Sequence, residues 1–238
     1  MAKMKYKRIL IKISGESLSD GKKKLDVKKI DEISEAIKNL LKQNVEIAIV
    51  VGAGNIWRGS FNDIFDSKIV SDYMGMTATI INALAIKEKI KEKTNNNCHV
   101  VSKISCELIE KYSRDNVMSY LKNNEVVIFA CGTGNPCFTT DTAASLYAIE
   151  IDAQAIFMAK NKINAVYDKD PNKNKNAKII KNISFQEAID KKLKVMDLTA
   201  LTLLNEHKKD IKIHVFSLKK ENFVDSINGK NIGTLLHK

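Results

Sequence analysis

The stretch Glu125-Val126-Val127-Ile128-Phe129-Ala130, continued by Cys131 and then Gly132-Thr133-Gly134-Asn135-Pro136-Cys137-Phe138-Thr139-Thr140-Asp141, decides the fold. Its apolar, β-branched and aromatic opening reads as a strand. Two glycines then loosen the backbone, and Thr142 to Ile151 reads as a helix. Backbone N–H groups at a helix start attract anions. Strand, glycine loop and helix in that order place a phosphorylated ligand at the carboxyl end of a strand. A second copy of the arrangement lies upstream, where Val45 to Val51 runs into Gly52-Ala53-Gly54-Asn55-Ile56-Trp57-Arg58-Gly59.

Working outward, Arg8 to Ile13 reads as a first strand, ending in Lys12-Ile13-Ser14-Gly15-Glu16. Asp26 to Leu41 has apolar residues at three- and four-residue steps, the period of a helix with one buried face, and Asp26 is its expected N-cap. Val45 to Val51 is so continuously apolar that it predicts a strand buried on both sides. A long helix is expected from Asp72 to Lys93 and a strand at Cys98 to Ser102. A helix at Ser113 to Leu121 and a strand at Gln154 to Ala159 follow. Beyond the polar loop Asn161 to Lys178, helices are expected at Ser184 to Ile189, Asp197 to Leu204 and Phe223 to Ile227, and strands at Ile211 to Phe216 and Thr234 to Leu236. Alternating strands and helices predict an α/β fold with a mostly parallel sheet covered on both faces. No Pro-, Gly- or Ser-rich linker divides residues 1–238, so one domain is expected.

The chain has 238 residues and a net charge of +11, but only three arginines, Arg8, Arg58 and Arg114. Nucleic-acid sites favour arginine for bidentate contacts, so a lysine excess gives little support to a nucleic-acid partner. No apolar run approaches the roughly 20 residues of a membrane span, and the basic start shows no signal-peptide cleavage site. The four cysteines form no C-x-x-C pair and read as reduced thiols. A cytoplasmic protein without a membrane partner is the expectation.

Several nucleotide signatures are absent. Gly15 to Lys22 misses the P-loop spacing, and neither glycine loop completes G-x-G-x-x-G. What remains is a set of phosphate-binding groups. Lys12, at a strand end beside a glycine, can offset charge on a transferring phosphoryl group. Arg58 offers a fork-shaped phosphate ligand. Thr133, Asn135, Thr139 and Thr140 supply donors and acceptors. Asp141 is a candidate for orienting Lys12, for binding magnesium, or for capping the following helix. Asp72 is expected to open its helix, as a cap or a ribose acceptor, and Tyr167 to stack on a base or to pack.

Taken together, Lys12 to Glu16, Gly52 to Asn55 with Arg58-Gly59, Asp72-Tyr73-Met74-Gly75-Met76, Gly132 to Asp141 and Lys194-Val195-Met196-Asp197 resemble the bacterial UMP kinases of the amino-acid-kinase superfamily. The likeness runs through almost the whole chain in the same order. It implies a three-layer α/β/α sandwich, often hexameric. It implies reversible transfer of the ATP γ-phosphoryl group to UMP with Mg²⁺, in pyrimidine nucleotide biosynthesis, with GTP and UTP as effectors. By position, Lys12, Ile13, Ser14, Gly15, Gly54, Arg58, Asn161, Tyr167 and Asp170 would serve ATP. Ala53, Asp72, Thr133, Gly134, Asn135, Pro136, Cys137, Phe138, Thr139 and Thr140 would serve UMP. Lys12, Arg58 and Asp141 would be catalytic, with magnesium carried through the ATP phosphates and Asp141 as its candidate protein ligand. Residues up to about 155 would form the UMP part and those from about 156 the ATP part. Ala53 stands where the family usually has glycine, Cys137 where it has phenylalanine, and Asn164-Ala165 where it has Asp-Gly. A kinase for a carboxylate, carbamate or isoprenoid phosphate is the alternative within the superfamily, and a nucleic-acid-binding regulator the alternative outside it.

Overall fold

The apolar run near residue 50 becomes β2 (Glu46–Val51), buried at every position. That is the environment a parallel sheet covered by helices on both faces provides. The computed structural model describes residues 4–58, 66–161, 164–169, 171, 173, 174 and 176–238. Its sheet has nine strands. β1 (Arg8–Ile13) lies at the centre, parallel to β2 on one side and to β6 (Ala155–Lys160) on the other, so that Lys12 is in register with Val50 and Met158. Beyond β2 come β5 (Val126–Phe129), β3 (Cys98–Ser102) and β4 (Glu110–Lys111). Beyond β6 come β10 (Lys212–Ser217), β11 (Thr234–His237) and β9 (Asn182–Ser184), with β11 antiparallel to β10. A separate hairpin pairs β7 (Val166–Tyr167) with β8 (Ile179–Ile180).

Side-chain alternation along β1 builds the three layers. Ile9, Ile11 and Ile13 pack into one core with α1 (Val27–Leu41), α2 (Lys68–Lys93) and α7 (Lys220–Ile227). Leu10 packs into the other, with α3 (Arg114–Lys122), α4 (Thr140–Glu150), α5 (Phe185–Asp190) and α6 (Leu198–Glu206). Lys12 belongs to the Leu10 face, the side on which α4 lies.

Helix starts follow side-chain chemistry. Asp26 accepts the Lys28 N–H, Ser184 and Glu187 form a reciprocal capping box, and Asp197 accepts the Ala200 N–H. Two expectations need correction. α2 begins at Lys68 with Ser67 as its cap, so Asp72 sits inside the helix and does not open it. α4 begins at Thr140 and is capped by Thr139, so Asp141 is not a cap. α2 also reaches the length and hydropathy of a membrane span although its apolar runs are short. Here it packs on the sheet through Ala83, Ile86 and Ile90, a core helix meeting the same compositional test.

Candidate functional site

The carboxyl ends of β1 and β2 bring two loops into contact. A Cβ at Gly15 would fall on the Gly54 amide nitrogen and lie 2.5 Å from Asn55 Oδ1, so only glycine lets the backbones approach this closely. Gly52 is crowded to a lesser degree, with Gly15 N at 3.2 Å and Thr140 Oγ1 at 3.3 Å from its would-be Cβ. The loop after β1, the loop after β2 and the start of α4 therefore meet at one point. Asn82 of α2 fixes the second loop from below. Its amide donates to the Gly52 carbonyl at 2.7 Å and to Asn55 Oδ1 at 2.8 Å, and Asn55 donates back at 3.0 Å.

At that point the Lys12 ammonium stands 2.8 Å from Asp141 Oδ1. The contact is an ion pair whose angles fall short of a hydrogen bond. Arg58 folds back over its own loop, donating to the Gly54 carbonyl at 3.1 Å and pairing with Glu16 at 2.6 Å. A cavity of about 880 Å³ opens beside these groups, lined by Lys12, Ser14, Gly54, Arg58, Asn161 and Tyr167 among others. Of the residues assigned to ATP, these six share that cavity. Ile13 is buried in the sheet, Gly15 lies beneath the loops, and Asp170 falls outside the described residues. Asn161 donates to the Glu16 carbonyl at 3.2 Å. Tyr167 lines the cavity and donates its hydroxyl to Asn164 Oδ1 at 2.6 Å.

The residues assigned to UMP centre on a tight loop, Thr133 to Thr140, that is buried at Thr133 and exposed from Cys137 to Thr139, with Ala53 and Asp72 contributed from elsewhere. Thr133 Oγ1 accepts the Asn135 N–H and donates to the Asn135 carbonyl, each at 3.1 Å. Gly134 has φ 87° and Cys137, unusually for a side-chain-bearing residue, φ 70°. Asp72 Oδ2 accepts the Cys137 N–H at 2.8 Å and so holds that conformation from α2. Pro136 lies between these turns, and Phe138 is half exposed. Thr139 Oγ1 accepts N–H bonds from Asp141 and Thr142 and donates to Asp197. Thr140 faces Gly52. Ala53 needs no left-handed backbone and is buried, so its methyl group fits the loop without changing the dihedral.

The family model of the amino acid kinase family matches residues 7–217. The chain belongs to the amino acid kinase family. Among curated relatives, the uridylate kinase of Mycoplasmopsis pulmonis is 44% identical over 236 residues, spanning 96% of this chain and 95% of that protein. The uridylate kinase of Vesicomyosocius okutanii is 44% identical and spans 98% and 99%. Among solved structures, the UMP kinase from Bacillus anthracis superposes with a TM-score of 0.94 at 32% identity, covering 98% of this chain and 96% of that one. The UMP kinase from Ureaplasma parvum gives 0.90 at 40% identity, covering 99% and 100%.

Within this amino acid kinase frame, three contributors take no role from the sequence alone, although Glu16 and Asp197 lie in quoted motifs. Glu16 neutralises Arg58, Asp197 accepts from both Thr139 and Thr142, and Lys160 ends β6 at the cavity wall. Asp197 belongs to a motif visible in the sequence, whereas Lys160 looks like the basic end of an apolar strand. The carboxylate at Asp141 also suits Mg²⁺, which in phosphate sites needs one or two carboxylates beside the nucleotide's own oxygens. Among the described residues no larger cluster of ligating side chains converges.

Proposed function

We propose that this chain is a UMP kinase, passing the γ-phosphoryl group of ATP to UMP to give ADP and UDP. The observation that carries the reading is the meeting of three phosphate-binding segments at Lys12. The loops after β1 and β2 line the cavity assigned to ATP, and the start of α4 continues from the loop assigned to UMP. A UMP phosphate oxygen, anionic near neutral pH, attacks the γ-phosphorus in line, and ADP leaves with the electron pair of the broken bond. No general base is needed. Lys12 and Arg58 offset the migrating charge, and Asp141 fixes Lys12. Asp141 would be the protein's carboxylate for an ATP-bound Mg²⁺, which would supply further charge neutralisation.

In the same reading, residues up to about 155 serve UMP and those from about 156 serve ATP, with Lys12 to Gly15, Gly54 and Arg58 crossing over to the ATP side. A homohexamer with GTP and UTP as effectors, in the cytoplasm, completes the proposal on the strength of family resemblance. The deciding experiment measures ADP release with ATP, Mg²⁺ and each nucleoside monophosphate in turn. UMP should be the preferred acceptor by a wide margin. A faster rate with another monophosphate, or with a carboxylate or isoprenoid phosphate, overturns the assignment. Sedimentation with and without GTP or UTP tests assembly and effectors.

A further inference from the structure

Lys160 places an unexplained cation in the site. It ends β6 two residues beyond Met158, the residue in register with Lys12. Alternation therefore sets Lys12, Met158 and Lys160 on one face of the sheet, the face that carries α4 and Asp141. The Lys160 ammonium donates to the Val195 carbonyl at 3.2 Å, which occupies one of its three protons. Lys12 and Arg58 each have a carboxylate partner, yet among the described residues Lys160 forms no ion pair. Burial and the neighbouring Lys12 push its pKa below the ordinary lysine range, and Asp141 pulls it back only in part. It also lines the 880 Å³ cavity. A cation withdrawn from water is costly unless an anion is set against it, and among the described residues no carboxylate pairs with Lys160 directly, Asp141 being committed to Lys12.

We propose that Lys160 is a second catalytic lysine, whose ammonium binds the γ-phosphoryl oxygens of ATP and stabilises the group as it passes to UMP. This rests on the UMP kinase reading. The bond from the γ-phosphorus to the β–γ bridging oxygen breaks as the bond to the UMP oxygen forms, and Lys160 stays protonated throughout. The Val195 carbonyl aims the side chain, so the segment leading to Asp197 supports the ATP side through Lys160 and the UMP side through Thr139.

The test compares Lys160→Met and Lys160→Arg with the unaltered enzyme, by steady-state kinetics and by calorimetric binding of ADP and of the β,γ-methylene analogue of ATP. Loss of one preorganised charge at a transition state lowers kcat by about a hundredfold. The Met variant should show that fall with the KM for UMP changed by less than about threefold, and the Arg variant should regain part of it. The affinity of the methylene analogue should fall about tenfold relative to that of ADP, because only the analogue carries a γ-phosphoryl group. A kcat within about threefold of the unaltered enzyme overturns the proposal, as does equal weakening of ADP and the analogue, which would mark Lys160 as a prop for Val195. If the Met variant does not fold, Lys160→Gln takes its place with the same outcomes. An unaltered enzyme that fails to phosphorylate UMP would sink the UMP kinase reading, while the ADP-versus-analogue comparison still reports on Lys160.

Discussion

Lys12 Nζ lies 2.8 Å from Asp141 Oδ1, so a strand end and a helix start far apart in sequence share one charge pair at the meeting of three loops. The pair gives Lys12 a fixed direction before any nucleotide binds, and preorganised charge costs no rearrangement during reaction. Lys12→Ala should lower kcat by about a hundredfold or more, with UMP affinity changed far less. Asp141→Asn should also depress kcat, since the ammonium loses its anchor. Coupled ADP detection and calorimetric UMP binding measure both, and near-normal turnover in Lys12→Ala removes that residue from the role.

In the role proposed for it, Arg58 exchanges its partner Glu16 for a phosphate. Both partners are half exposed, so their pairing contributes at most about 1 kcal/mol. Glu16→Gln should therefore tighten ATP binding by no more than about fivefold. Arg58→Ala should weaken phosphate binding and turnover. ATP titrations of the two variants give opposite signs if the competition is real, and unchanged ligand affinity in both would refute it.

Gly15→Ala forces a methyl group into the Gly54 backbone and Asn55. The Gly54 nitrogen is backbone, and Asn55 Oδ1, though a side-chain end, is held by Asn82, so the two loops must separate. Overpacking of this kind costs about 1–3 kcal/mol. Urea unfolding should register that loss, and ATP binding should fall with it. A variant of unaltered stability and affinity would show that the loops are looser than their contact implies.

His214 is buried in β10 beside Tyr6, whose hydroxyl is 2.9 Å from Nε2. Burial, reinforced by Lys5 and Lys212, lowers its pKa from 6.5 to about 4. The unfolded chain thus takes up a proton on this ring at higher pH than the folded one. The stability contribution is fully present above pH 6.5 and is lost as pH falls towards about 4, in total about 3 kcal/mol. His214→Gln should flatten the stability profile across that window. Equal slopes for both proteins would show that other groups control the acid limb.

Much of this arrangement is legible in the residues alone. The 3.6-residue period of α1, the unbroken apolar run of β2 and the two glycine loops locate the sheet and its ligand-bearing end, because burial and backbone freedom are local demands on composition. Other features arise from partners distant in sequence. Lys12 meets Asp141, and Thr139 meets Asp197, through the fold rather than through spacing. The true start of α2 was hidden because Ile69 and Val70 in its first turn are exposed, so burial does not mark it. β4, β7, β8 and β9 have two or three residues each, too few for alternation to show. The left-handed turn at Cys137 carries no glycine to announce it and depends on an acceptor from α2.

β1 pairs early in the chain with β2, but its other edge waits for β6, in a register that matches Ile9 with Ala155. Closing so long a loop is slow, and chains fold from their first residues during synthesis. A polypeptide that has left the ribosome only as far as β5 still lacks the helix bearing Asp141 and the strand bearing Lys160. Until α4 and β6 have been made, the free edge of β1 stays unpaired, and an unpaired strand edge is a template for association with other chains.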